Sequence, residues 1–380
     1  MQTKDFTSAF KAYVLPGIVF QSVIIAGGYG TGREMVEYFL NYGPVGGLVG
    51  MLFISTVMWS VVLAASFEFA RVYRAHDYRT FFLKLLGRFW YSFEVLYLIL
   101  LLIVLAVIGS TAGVLLRDNF GLPYLLGVAI MLASVGFLTF KGTSLIEKFL
   151  SGWSLLLYGI YLVFFVMCFL RFGDEIRNSL SMGIDSSGWV VGAFKYGFYN
   201  LGAIPAVLFT THHIKSRRQA VGAGLLGGVI GIFPGLLFYL AIVGLYPQVL
   251  SAEVPAVYAL RAARLPLLLI VFQVVLLGTL VETGTGMIHA VNERLRSALR
   301  ARGRDLPRRV RPLVALGLLL LGLALSTFGL IQLVAKGYGA VSWGFLFVYI
   351  VPLMTWGLYK IWKKEEGRGP VDAAGATSRG

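Results

Sequence analysis

Mostly apolar runs of 18 or more residues follow one another along nearly the whole chain. No other feature constrains the fold as strongly, because a helix of about 20 such residues crosses the hydrocarbon core of a bilayer. The runs are continuous rather than alternating, which excludes a β-barrel. Ten are read, at 11–41, 44–70, 89–116, 122–140, 145–170, 187–211, 218–246, 266–291, 312–332 and 336–360. Residues 77–88 are too short to cross, and they mix Phe81, Phe82, Leu83, Leu85 and Leu86 with Arg79, Lys84 and Arg88. That pattern predicts an amphipathic helix lying on a membrane face. The expectation is an all-α polytopic membrane protein with one transmembrane domain over 1–360. Residues 361–380 are expected to form a disordered cytoplasmic tail. Composition agrees: 58% of residues are apolar and 13% charged, against about 45–50% and about 25% in soluble domains.

The formal charge of +15 raises the question of nucleic acid, and the position of the charges answers it. With a cytoplasmic N-terminus, the inner loops hold Lys4 and Lys11, the group Arg71 to Arg88, Lys141 and Lys148, Lys215 to Arg218, the block Arg294 to Arg311, and the C-terminal tail. The outer loops hold only Arg33, Arg117, Arg171, Arg177, Arg261, Arg264 and Lys336, while Lys195 falls inside a span. This is the positive-inside distribution. The basic excess therefore reports topology, and no nucleic-acid partner is expected. The partners are the lipid bilayer and a small-molecule substrate, in a multi-pass protein of the cell membrane with both termini cytoplasmic. Residues 12–26 lack a following cleavage site and read as a retained first span. Cys168 is the single cysteine, inside the fifth span, and reads as a packing residue. His76, His212, His213 and His289 lack zinc-ligand spacing, and the glycine groups lie within spans rather than in a P-loop or Rossmann context. No catalytic set is present, so an enzyme is not expected.

The first span is interrupted in its middle, at Ile25-Ala26-Gly27-Gly28-Tyr29-Gly30-Thr31-Gly32-Arg33-Glu34. Each glycine costs a helix about 1 kcal/mol against alanine. Unwinding inside a bilayer is tolerable only where the freed backbone is buried or lines a wet cavity. The sixth span is interrupted at Lys195-Tyr196-Gly197-Phe198-Tyr199-Asn200-Leu201-Gly202-Ala203-Ile204-Pro205, where Pro205 removes a donor and disfavours helix before it. Spans one and six begin the two five-span halves, about 10–171 and 187–360. Five is odd, so the halves enter from opposite sides, as in inverted-repeat transporters with discontinuous helices.

This arrangement resembles the LeuT-like fold of the amino acid–polyamine–organocation (APC) transporter superfamily. The segments GGYGTGREMVEYF, KYGFYNLGAIP and TGTGMIHAVNERL resemble the YkvI-type family of bacterial membrane proteins, over residues 10–360. The resemblance implies a 5+5 inverted repeat with broken helices one and six. It also implies an ion site between spans one and eight that uses hydroxyls of the latter.

In the eighth span Thr279, Glu282, Thr283, Gly286 and His289 share one helical face. A carboxylate at mid-span usually faces a cavity, a partner or an ion path. Two coupling schemes follow. In one, Thr279 and Thr283 hold Na+ with carbonyls near Val23 and Ala26, as suits a hard cation. In the other, Glu282 carries a proton with His289 as relay. No cofactor is expected beyond Na+ as a coupling ion. Between the two interruptions, Ala26, Gly27, Gly28, Gly30 and Thr31 are expected to offer amides to a substrate carboxylate, and Tyr196, Tyr199, Asn200 and Gly202 to complete the site. Arg33, Glu34, Glu37 and Lys195 are expected in the outer vestibule as a gate. The function expected is secondary active transport, as symport or exchange, of a small polar solute such as an amino acid or related carboxylate. The alternative is a sensor that binds a ligand without net transport.

Overall fold

The computed structural model describes residues 7–25, 27–141, 143–184, 188–300, 303, 307 and 310–366. Every regular element among them is helical. Among the described residues, six helices are long and apolar enough to cross a membrane: Thr7–Ile24, Pro44–Tyr73, Tyr78–Phe120, Arg217–Val243, Pro266–Arg296 and Leu330–Lys364. Tyr124–Thr139 and Val310–Ser326 are apolar but shorter. Helices also run over Thr143–Leu180 and Trp189–Asn200.

Local chemistry sets many of the boundaries. Asp77 caps the short amphipathic helix Tyr78–Leu86 by accepting from the Thr80 amide at 2.9 Å. That helix buries Phe81, Phe82 and Leu85 and exposes Leu83 and Lys84. Ser216 and Gln219 form a reciprocal capping box at the start of Arg217–Val243. The Trp90–Phe120 helix stops at Gly121, whose φ of 66° is left-handed. The last helix reaches Glu366, so residues 361–366, assigned from sequence to a disordered tail, continue the helix. Residues 367–380 lie outside the described part, as do Arg302, Arg304, Arg308 and Arg309 of the basic block.

The tightest helix pair joins Arg217–Val243 to Thr56–Tyr73. Side chains added at Gly224 and Gly228 would strike the backbone of Ala64 and Ser60. Small residues let these helices approach closely, which drives association where lipid supplies no hydrophobic force. Both ends of the described chain lie on one side. His76 Nδ1 meets Thr211 Oγ1 at 2.8 Å, residues 10–14 pack on the segment 208–213, and Lys364 Nζ donates to the Val72 carbonyl at 2.8 Å. On the opposite side Arg117 pairs with Glu253 at 2.5 Å.

Candidate substrate and ion site

The helix Leu15–Ile24 ends at Ile25, whose φ of −75° and ψ of 79° leave the helical region. A single turn follows at Gly27–Gly30, then Gly32 turns left-handed at φ 78°, and Arg33–Tyr38 resumes the helix. Ala26 lies outside the described residues. The sixth segment does not unwind at Asn200. It narrows to 3-10 helix over Leu201–Ala206 and again over Leu208–His213. Pro205 has no N–H to continue the α pattern, and the tighter winding accommodates it.

Between these segments is a cavity of about 60 Å³, enough for about four waters at about 10–15 Å³ each. Val23, Ile24 and Glu34 line it from the first segment; Tyr199, Asn200, Gly202 and Ala203 from the sixth; Tyr97, Leu100, Leu101 and Val104 from the Trp90–Phe120 helix; Met287 and Tyr338 close it. Glu34 is only 2% exposed. The Tyr199 hydroxyl donates to its Oε2, and Oε1 lies over Gly28, where a Cβ would collide with it. The Tyr199 ring stacks on Tyr338 at 4.7 Å between centroids.

Several sequence-based assignments change. Glu34, expected in the outer gate, points into the cavity. Arg33, one residue earlier and so about 100° around the helix, points away and donates to the carbonyls of Leu250 at 2.8 Å and Ala252 at 3.0 Å, and to Glu37 at 3.0 Å. The Arg33–Glu37 pair is thus on the side opposite the termini, under the 248–254 segment. Lys195 is half-buried, and its carbonyl accepts from Ser342 at 2.8 Å. Among the described residues its ammonium makes no ion pair with Glu37. Thr31 is not in the cavity wall. Its hydroxyl donates to the Gly28 carbonyl at 2.7 Å, and its own carbonyl accepts from Ala256 at 3.0 Å. Gly28 and Gly30 are also absent from the wall: Gly30 packs against Leu276 and the Tyr161 hydroxyl. Glu34 Oε1 occupies the space beside Gly28, the place expected for a substrate carboxylate. Tyr196 is buried against Phe39 and Trp59, with ring centroids at 4.8 and 5.3 Å.

The eighth segment meets the first through Leu276 and Gly30, which would carry a Cβ 3.0 Å from Leu276 Cδ1. Met287, not Glu282, reaches the cavity. Glu282, Thr283 and His289 are half-buried, and Glu282 is close enough to Tyr158 of the Thr143–Leu180 helix to act on it electrostatically. Thr279 donates its hydroxyl to the Val275 carbonyl at 2.9 Å, within its own helix. Among the described residues no three His, Cys, Asp or Glu side chains converge as a metal site requires. Tyr97, Tyr338 and Met287 were not anticipated. Their sequence signal is weak, because aromatic and Met residues recur throughout a membrane chain.

Towards the terminus side the cavity floor is Tyr97. The Arg294 guanidinium lies over the Tyr97 ring at 3.8 Å and the Tyr78 ring at 4.2 Å, and reaches Glu94 at 3.4 Å.

The chain is all-helical and multi-span, with a cavity between two irregular segments, and solved structures of the LeuT-like fold share its architecture. A Na+-coupled sialic acid symporter, solved substrate-bound and outward-open, superposes with TM-score 0.59 at 12% identity, over 91% of this chain and 79% of that one. The Eremococcus coleocola manganese transporter gives TM-score 0.53 at 18% identity, over 94% and 85%. These neighbours are transporters, not enzymes. The protein is a homologue of the uncharacterised membrane protein YkvI of Bacillus subtilis (strain 168), 26% identical over 295 residues, or 74% of this chain and 80% of the relative. No family model matches the chain.

Proposed function

We propose that the protein is an ion-coupled secondary transporter for a small polar solute, working by alternating access. In this reading the chain crosses the membrane ten times in two inverted halves, with discontinuous first and sixth helices. The solute occupies the central cavity, and an amino acid or related compound is the leading class. One observation carries the reading: Glu34 of the first segment and Tyr199, Asn200 and Gly202 of the sixth line one cavity between the two irregular segments. Irregular backbone at membrane depth around a cavity is how many secondary transporters build their sites. The fold shared with ion-coupled symporters supports it. Val23, Ala26, Thr279 and Thr283 remain the candidate sodium ligands, and Glu282 with His289 the candidate proton relay.

The test is purified protein in liposomes, assayed for uptake of labelled amino acids under imposed sodium and proton gradients. Gradient-dependent accumulation is expected. Ligand-induced stabilisation without accumulation or exchange would replace the transport reading with a sensor.

A further inference from the structure

We propose that Glu34 is the coupling group of the central cavity and that the ion it carries is a proton. This rests on the transport reading and extends it by naming ion and residue.

Glu34 is enclosed by neutral groups. Tyr199 of the sixth segment donates to it, and the rings of Tyr38, Tyr196 and Tyr338 pack on the Tyr199 ring at 5.7, 5.9 and 4.7 Å between centroids. Tyr97 lines the same cavity. The neighbouring charges Arg33 and Glu37 are paired with each other. Among the described residues the Glu34 carboxyl makes one hydrogen bond, from Tyr199, and no ion pair. An ionised carboxylate buried without a cation is too costly to persist, so the site demands positive charge.

The wall decides which cation. A hard metal ion asks for a shell of several oxygens. The cavity surface is mostly carbon, from Val23, Ile24, Leu101, Val104, Ala203 and Met287. The other oxygen-bearing side chains among its lining, Tyr97, Tyr199, Asn200 and Tyr338, are neutral, so Glu34 is the one charged oxygen ligand there. A proton needs a single oxygen. Oε2 is engaged by Tyr199, which leaves Oε1 to form the O–H bond with a proton delivered by cavity water. That bond breaks, and the proton returns to water, when the cavity opens to the other side. Tyr199 keeps its own hydrogen throughout. Its bond to an ionised Glu34 is charge-assisted and stronger than its bond to the protonated acid. Protonation therefore loosens the sixth segment from the first, linking the ion to the helices that must move.

The experiment is infrared difference spectroscopy of the full chain in liposomes, stepped in pH across the range where it stays folded. Acidification should produce the C=O stretch of a protonated carboxyl. The band should be lost in Glu34→Gln and displaced in Tyr199→Phe, which keeps the carboxyl and removes its donor. A pH-insensitive spectrum, or a band unchanged in both variants, overturns the proposal. If Glu34→Gln does not fold, the displacement in Tyr199→Phe decides alone. A Glu34 band without uptake of any labelled amino acid upholds the proton site and removes the transport reading. Sodium-driven uptake that survives Glu34→Gln upholds transport and overturns the proton.

Discussion

Pro234 lies inside the Arg217–Val243 helix and has no N–H, so the carbonyl four residues back, at Ile230, loses its helical partner. Gln21 of the first segment supplies one, its Nε2 donating at 2.7 Å. A side chain thus fills a backbone vacancy between two spans. Gln21→Leu should destabilise the protein by about 1–3 kcal/mol, the cost of leaving an acceptor between two packed spans without a partner, read as a lower melting temperature in detergent. A second residue-scale effect belongs to the 74–77 loop. Thr211 gives its hydroxyl hydrogen to the Leu208 carbonyl at 2.6 Å, so His76 Nδ1 donates to Thr211. Burial holds the His76 imidazole below the usual histidine range; the nearby His212 adds to this and Asp77 opposes it. The folded state therefore binds this proton more weakly than the unfolded chain. The stability it contributes is full above the unfolded value of about 6.5 and is lost as pH falls through that value towards the lowered folded one. Melting curves against pH should show this acid loss, and His76→Gln should reduce it.

At the scale of elements, the contacts at the two ends of the cavity differ in chemistry. Towards the 248–254 segment, Arg33 holds backbone carbonyls and Glu37. Towards the termini, Arg294 of the eighth segment is sandwiched between Tyr97 and Tyr78 and pairs with Glu94. Cation–π contacts of this kind contribute from about 0.5 to about 2 kcal/mol each. If this cluster closes the terminus side, Arg294→Gln should expose the cavity there. Cys168 is buried, so a cysteine placed at Ala203 in the cavity wall can be followed by thiol labelling. Labelling from the terminus side should rise up to about tenfold, equivalent to about 1.4 kcal/mol of lost closure. An unchanged rate would make the cluster a packing feature only.

For the whole molecule, the fold is shared with transporters at 12% and 18% identity, so packing geometry has outlasted nearly all side-chain identity. The distribution of Lys and Arg predicts that the terminus side is cytoplasmic. Ser251 and Lys215 are exposed at opposite ends of the Arg217–Val243 helix. In intact cells an impermeant thiol reagent should reach a cysteine at 251 and should reach one at 215 only after permeabilisation. The reverse pattern would invert the topology.

The amino-acid sequence by itself determined the helical, membrane-spanning character, because run length and apolarity are local properties that a bilayer reads directly. It also pointed to interruptions at Ala26–Gly30 and Asn200–Pro205, since Gly and Pro alter the backbone; the chain leaves the helix at Ile25 and narrows to 3-10 winding from Leu201, while Asn200 stays helical. The direction in which each side chain points was decided only in three dimensions. Arg33 and Glu34 are adjacent and equally polar, and both read as vestibule charges. The left-handed turn at Gly32 fixes the azimuth of the helix that follows, and the neighbours brought there by distant segments divide the pair. Leu250 and Ala252 carbonyls receive Arg33; Tyr199, 165 positions along the chain, receives Glu34. Glu282 read as the principal intramembrane carboxylate because it sits mid-span, but depth does not specify azimuth. In the packed bundle Met287 of this helix lines the cavity and Glu282 does not, though Glu282 acts electrostatically on Tyr158.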